Sequence, residues 1–190
     1  MNSPSPGCLL VLSGPSGVGK STIAKKLREM PGIARVMTTT TRVRRPQEVD
    51  GRDYRFLTRE EFQAAIGRSE FLEHAEIDGN LYGTPKEEIE RKISSGKLVL
   101  VDIDTQGARA VRALGLPALF VFVAPPDMEE LRRRLEGRKS ESPEAVKMRL
   151  DRAEREMGQK DVYDAVVVNS TVERAVGEIL ALVRGRNLLN

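Results

Sequence analysis

Residues Gly14-Pro15-Ser16-Gly17-Val18-Gly19-Lys20-Ser21 spell G-x-x-x-x-G-K-S, a string suited to gripping phosphate. Its glycines let the backbone curl until successive N–H groups point inward at phosphate oxygens. A helix starting at the end of the string adds the positive end of its dipole to that field. A lysine placed like Lys20 reaches the β- and γ-phosphates of a nucleoside triphosphate, and a hydroxyl placed like Ser21 ligates Mg²⁺. The expected triphosphate contacts are Gly14, Pro15, Ser16, Gly17, Val18, Gly19, Lys20, Ser21 and Thr22.

This motif needs a strand before it and a helix after it. The run Leu9-Leu10-Val11-Leu12 supplies the strand, and the amphipathic stretch from Ser21 to Met30 supplies the helix. Further short apolar runs, at Leu98-Val99-Leu100-Val101, at 119–123 and at Ala165-Val166-Val167-Val168, read as strands of a parallel sheet covered on both faces. Helical patterns lie between them. One starts at Thr84-Pro85-Lys86-Glu87 with threonine as cap. A second begins at Asp127 with Leu131 and Leu135 at helical spacing. A third starts at Ser142-Pro143-Glu144, and the last at Ser170 with Glu173 in capping-box position. The predicted architecture is α/β, a P-loop core with a doubly wound parallel sheet. Two segments break the alternation. Residues 38–84 are polar, with β-like pieces around Tyr54-Arg55-Phe56 and Phe71-Leu72 and a helix starting at Thr58 with Glu61 as box partner; residues 126–155 are arginine-rich and helical. Both suit mobile flaps.

The 190 residues fit one domain with small inserts, 39% hydrophobic and 31% charged. No apolar run approaches the ~20 residues of a membrane span, so no membrane association is expected. Residues 1–7 read as a flexible tail without signal-peptide character. The single cysteine, Cys8, cannot form an internal disulfide and reads as a small core residue, so a cytoplasmic location is expected. Net charge is +3 and aromatics are 4%. The arginines therefore have no stacking platform for single-stranded nucleic acid, and small polyphosphates account for them. No nucleic-acid partner is expected, and the chain is expected to be a monomer or a homo-oligomer.

The P-loop alone admits GTPases, ATPases, transporters and small-molecule kinases. The N/T-K-x-D motif of a guanine-reading GTPase is absent. The order of the remaining motifs is more specific: Thr41-Arg42-Val43-Arg44-Arg45, Gly51-Arg52-Asp53-Tyr54-Arg55-Phe56, Phe71-Leu72-Glu73-His74-Ala75, Gly79-Asn80-Leu81-Tyr82-Gly83-Thr84 and Asp102-Ile103-Asp104-Thr105-Gln106-Gly107. Together with the P-loop they resemble the guanylate kinase family, which phosphorylates GMP with ATP, and the likeness spans about residues 8–183.

That resemblance implies a core at 8–37, 85–125 and 156–190, an α+β GMP-binding insert at 38–84 and a helical lid at 126–155. It implies ATP and GMP as substrates, dGMP as a further acceptor, and Mg²⁺ as cofactor. By the same likeness Glu73 reads guanine, and Thr38 and Thr84 reach its O6. Arg42, Arg45, Tyr54 and Tyr82 hold the GMP phosphate. Asp102, with Asp104 beside it, stands near the acceptor and the waters of the metal, while Ser21 ligates the metal directly. Lys20, Arg42, Asp102, Arg134, Arg138 and Arg149 are the implied catalytic set. Arg132, Arg133, Arg152 and Arg155 read as a solvated helix face, and His74 as a packing residue near the GMP segment.

The chain departs from the family pattern at Val43-Arg44, where two prolines are common, at Gln47 (glycine), Thr38 (serine), Lys139-Ser140-Glu141 (Gly-Thr-Glu) and His74 (tryptophan). A catalytically dead, phosphopeptide-binding relative would lose P-loop glycines or the lysine, and Gly14, Gly19, Lys20 and Ser21 are all intact. A related kinase of a phosphorylated sugar would lack Glu73 with its two threonines.

Overall fold

All six residues of β1 (Cys8–Ser13) are buried, and they serve two different cores. Leu10 and Leu12 face one layer, and Leu9 and Val11 the other. Strand side chains alternate between faces, so a run apolar at every position belongs in the middle of a sheet covered on both sides. The computed structural model describes residues 7–137 and 143–189. In it β1 lies at the centre of a five-stranded sheet. The other strands are β2 (Ile33–Arg35), β7 (Leu98–Asp102), β8 (Ala118–Ala124) and β9 (Ala165–Val168), in the order β2-β7-β1-β8-β9 with every pair parallel.

Helices α1 (Lys20–Arg28) and α7 (Val172–Gly185) cover one face with Ile23, Leu27, Ile179 and Val183. Helices α3 (Lys86–Ser94) and α4 (Thr105–Ala113) cover the other with Ile89 and Val111. The chain leaves β1 toward β2 on one side and later adds β8 on the other. This reversal opens a crevice beyond the carboxyl ends of β1 and β7, the place where open α/β sheets bind ligands.

A second sheet is built from β3 (Thr39–Thr40), β4 (Arg55–Phe56), β5 (Phe71–Ile77) and β6 (Asn80–Pro85), in the order β4-β3-β6-β5. β5 and β6 form a hairpin whose two turn residues, Asp78 and Gly79, both have positive φ, the conformation that matches strand twist in a two-residue turn. α2 (Arg59–Gly67) packs on this sheet through Phe62, which stacks on Phe71 at 4.4 Å between centroids. The expected Thr58–Glu61 capping box is formed in both directions. α5 (Met128–Glu136) and α6 (Pro143–Met157) share a small core of Leu131, Leu135, Val146, Leu150 and Ala153. Asp127 caps α5, which starts one residue later than the sequence pattern suggests.

Three expectations change. Thr84 does not cap α3; it lies within β6, one residue before Pro85 at the N-cap position, and its hydroxyl donates to the buried Glu73 carboxyl. α7 is capped by Thr171, because the Ser170 N–H turns back to the Val168 carbonyl as β9 ends. His74 is exposed on β5 and does not pack. Arg138, Lys139-Ser140-Glu141 and Ser142 lie outside the described residues. Among the described residues no helix is long and apolar enough to cross a membrane.

Leu10 is fully buried at the centre of the sheet. Leu10→Ala is expected to cost about 2–5 kcal/mol of unfolding free energy, read as a lower urea midpoint at unchanged m-value.

Candidate functional site

The start of α1 differs from most of the other helix starts. α2, α4, α5 and α7 each have a threonine or aspartate side chain accepting from a first-turn N–H. α1 begins after Gly19 with no side-chain cap and no acidic residue in its first turn. Its unpaired donors and its dipole are thus left for an external anion. Gly14 has φ 136°, and a Cβ there would stand 2.2 Å from the Val123 carbonyl oxygen, so only glycine lets β1 turn into the loop against β8. The far side of the loop is braced. The Val18 carbonyl accepts from Asn169 Nδ2 at 2.7 Å and from Arg134 Nη1 at 3.2 Å.

Lys20 is folded onto its own loop, its Nζ donating to the Gly14 carbonyl at 2.5 Å. It opens, with Gly14, Ser16 and Ser21, into a cleft of about 460 Å³. Thr38, Tyr54, Glu73, Tyr82, Asp102 and Asp104 line the same cleft. Residues distant in sequence therefore meet between the two sheets: Lys20 and Ser21 from the P-loop, Asp102 from the end of β7, and Glu73 from β5.

Glu73 is only 7% exposed. Thr84 Oγ1 donates to its Oε1 at 2.5 Å. A Cβ on Gly107 would come within 2.6 Å of its Oε2, so the first turn of α4 closes directly over the carboxyl. Burial pushes its pKa up to about 7; the Thr84 hydroxyl pulls it down and the nearby Asp104 pushes it further up. Burial also raises the Tyr54 phenol, with Asp102 adding to the effect. Asp104 has a second duty as the cap of α4, accepting from the Gly107 N–H at 2.8 Å.

The arginines are held differently from the other candidate residues. Arg42 is tied to Glu48 at 2.7 and 2.9 Å, and its guanidinium lies 5.5 Å from the Tyr54 ring centroid. Burial works against its charge, but Glu48 more than reverses that and leaves its pKa raised. Arg45 is exposed, and its main-chain N–H donates to Glu48 at 2.9 Å. Arg134 braces the P-loop from behind through Val18 and the Asn169 carbonyl, and pairs with Glu130 at 2.8 Å. Arg149 lies 3.9 Å from Asp78 at the tip of the β5–β6 hairpin. None of these four arginines lines the cleft. Pro15 and Val18 are buried beneath the loop, and Thr22 is exposed on α1.

The cleft also contains residues that the sequence reading set aside or missed. Arg152, read as solvated, lines it and donates to Asp78 at 2.7 Å, joining α6 to the hairpin tip. Arg155, Glu156, Gln106 and Gln159 line it as well. Glu48, which organises the Arg42–Arg45 segment, was not singled out either. One signal was present for α6: residues 149, 152 and 156 share a helix stripe beside the buried Val146, Leu150 and Ala153.

The family model described as guanylate kinase matches residues 7–185. A guanylate kinase of Rubrobacter xylanophilus is 49% identical over 179 residues, covering 94% of each chain. One of Rhodococcus jostii is 50% identical over 183 residues, covering 95% of this chain and 88% of the other. The crystal structure of guanylate kinase from Anaplasma phagocytophilum superposes with a TM-score of 0.81 at 37% identity, covering 96% of this chain and 87% of that one.

The Glu73 carboxyl has a consequence for stability. Its pKa is about 7 in the folded protein against an ordinary 4.5, so between those values the folded state binds a proton that the unfolded chain has released. Its stabilising share is full below pH 4.5 and is lost as pH rises through 7. Urea unfolding at pH 5 and pH 8 is expected to show a difference on the order of 2–3 kcal/mol smaller in Glu73→Gln than in the parent protein.

Proposed function

The chain belongs to the guanylate kinase family, and from that membership we propose which residues hold each substrate. The enzyme transfers the γ-phosphoryl group of ATP to GMP, giving ADP and GDP. One observation carries the assignment: the P-loop lysine Lys20 and the buried carboxyl of Glu73 open into a single cleft.

ATP lies with its phosphates in the loop from Gly14 to Ser21, with Thr22 behind it. Guanine offers N1–H and the N2 amino group as adjacent donors, and an ionised Glu73 accepts from both; adenine has no such pair. Thr38 and Thr84 reach O6, and Thr84 gives up its bond to Glu73 as guanine takes that place. Arg42, Arg45, Tyr54 and Tyr82 hold the GMP phosphate, with Arg42 exchanging Glu48 for it. Planar guanidinium groups match phosphate geometry better than ammonium groups do. None of these contacts involves the 2′-hydroxyl, so dGMP is accepted as well.

A phosphate oxygen of GMP attacks the γ-phosphorus, the bond from that phosphorus to the β–γ bridging oxygen breaks, and the charge is left on ADP. The acceptor oxygen carries no proton at working pH, so no general base is required and the exposed His74 is not needed. Positioning and charge neutralisation do the work. Lys20 stays with the transferring group, Asp102 and Asp104 border the acceptor, and Arg134, Arg138 and Arg149 supply positive charge. In the free protein Arg134 and Arg149 are engaged elsewhere, so their service requires movement of α5 and α6. Residues 126–155 are thus assigned as the lid and 38–84 as the GMP-binding segment. The core is assigned to 8–37, 85–125 and 156–190. Closure excludes water that would otherwise hydrolyse ATP.

The donors suit Mg²⁺. Ser21 and Asp102 both line the cleft, and among the described residues no three His, Cys, Asp or Glu side chains form a cage. This fits an ion that keeps most of its waters and takes phosphate oxygens. Ser21 would hold it directly and Asp102 through water, and its charge would offset that on the β- and γ-phosphates. The cytoplasm, where these nucleotides are turned over, is the assigned location.

Lys20→Ala is expected to lower kcat by several orders of magnitude in a coupled assay of ADP release with GMP; near-normal turnover would overturn the mechanism. GMP affinity is expected to strengthen as pH rises toward 7, by up to about tenfold per unit, because guanine binds the ionised form of Glu73. Calorimetry across pH 5–8 reads this. Glu73→Gln should flatten the profile and weaken GMP while leaving ATP binding unchanged, and equal losses for both nucleotides would refute the role.

A further inference from the structure

Glu156 has no part in the assignments above, yet it is 8% exposed and lines the cleft with Gly14, Ser16, Lys20 and Ser21. Its Oε2 is fully enclosed and has no hydrogen-bond partner. Burying an ionised carboxyl is unfavourable unless positive groups or donors surround it. The favourable groups facing Glu156 are the Lys20 ammonium, the Arg152 guanidinium one turn back on α6, and the Ser16 main-chain N–H; Asp104, from the cap of α4, and the Tyr163 phenol face it too. Burial leaves its pKa raised, with Lys20 the largest pull against that rise. Ser16 and Lys20 are also groups that the loop presents to phosphate.

We infer that Glu156 is an internal anion standing against the phosphate cradle, and that any entering anion must displace it. The residue thereby determines which anions the cradle accepts. A bound phosphate takes the Ser16 N–H and Lys20 for itself, and Glu156 is then left buried beside like charge with its best partners gone. A nucleoside triphosphate brings base and ribose contacts in addition to three phosphates, and these offset the displacement. Inorganic phosphate and pyrophosphate bring only the cradle contacts and are turned away. Because Glu156 rides on α6, its expulsion also acts on the helix that Arg152 fastens to Asp78.

This inference rests on the P-loop being the ATP site. Calorimetry with pyrophosphate and, separately, with ATP tests it on the whole protein. Removing the charge in Glu156→Gln is expected to tighten pyrophosphate on the order of tenfold and ATP by a smaller factor. Glu156→Ala should behave alike, and Glu156→Asp, which keeps the anion, should stay within about twofold of the parent. A structural role would weaken binding rather than tighten it. If the parent binds ATP but the neutral variants hold pyrophosphate no more tightly, the inference is overturned and the ATP assignment stands. If both neutral variants fail to fold, Glu156 serves stability and the inference is again overturned. If neither parent nor variants bind ATP, the ATP assignment fails and takes the inference with it.

Discussion

The first turn of α1 carries no side-chain cap and no acidic residue, and much of the surrounding structure serves to keep that helix start open to an anion. A helix start left uncapped is costly unless something else satisfies it, so neighbouring elements must hold the loop in shape. β1 and β8 fix its entry through the Gly14–Val123 approach, and Asn169 and Arg134 fix its far side by bonding the Val18 carbonyl outward. β1, buried at every position, ends where the loop begins. The rigidity of the core is thereby passed to a cradle that has little intrinsic stability.

The second theme is that several charged groups in and beside the cleft already have an internal partner. Lys20 sits on the Gly14 carbonyl, Arg42 on Glu48, Arg152 on Asp78, and Glu73 on Thr84. Substrate binding in such a site is an exchange of partners. Selectivity comes from the difference between the internal contact and the one that replaces it. Glu73 is the clearest case: burial holds its carboxyl near neutrality, and in the assignment proposed above guanine supplies the two donors that make the anion favourable there.

The hairpin tip at Asp78 shows how the pieces communicate. Arg152 and Arg149 approach it from α6, so the sheet that carries Glu73 and the α5–α6 helix pair are already in contact. Ordered segments joined by a few exposed ion pairs can shift relative to one another at small energetic cost.

The sheet, the P-loop and the capping box at Thr58 were legible in the sequence because each depends on local spacing: burial at every position of a strand, glycine conformation, and a hydroxyl three residues from a glutamate. Where a hydroxyl had two possible partners, a helix N–H donor and a distant carboxyl, local spacing misled. Thr84 has helix-cap spacing but bonds Glu73, eleven positions earlier in the chain. The arginines show the same divide. Their number was plain in the sequence, but Arg152 faces the cleft while Arg134 and Arg45 do not, and the choice was made by Asp78, Val18 and Glu48. What the sequence by itself determined was which chemical groups are present and which strand, turn and helix carries each, since those follow from neighbours along the chain. Only the tertiary structure decided which charges meet and which are buried, Glu156 among them, because desolvation and pairing depend on residues that are distant in sequence and close in space.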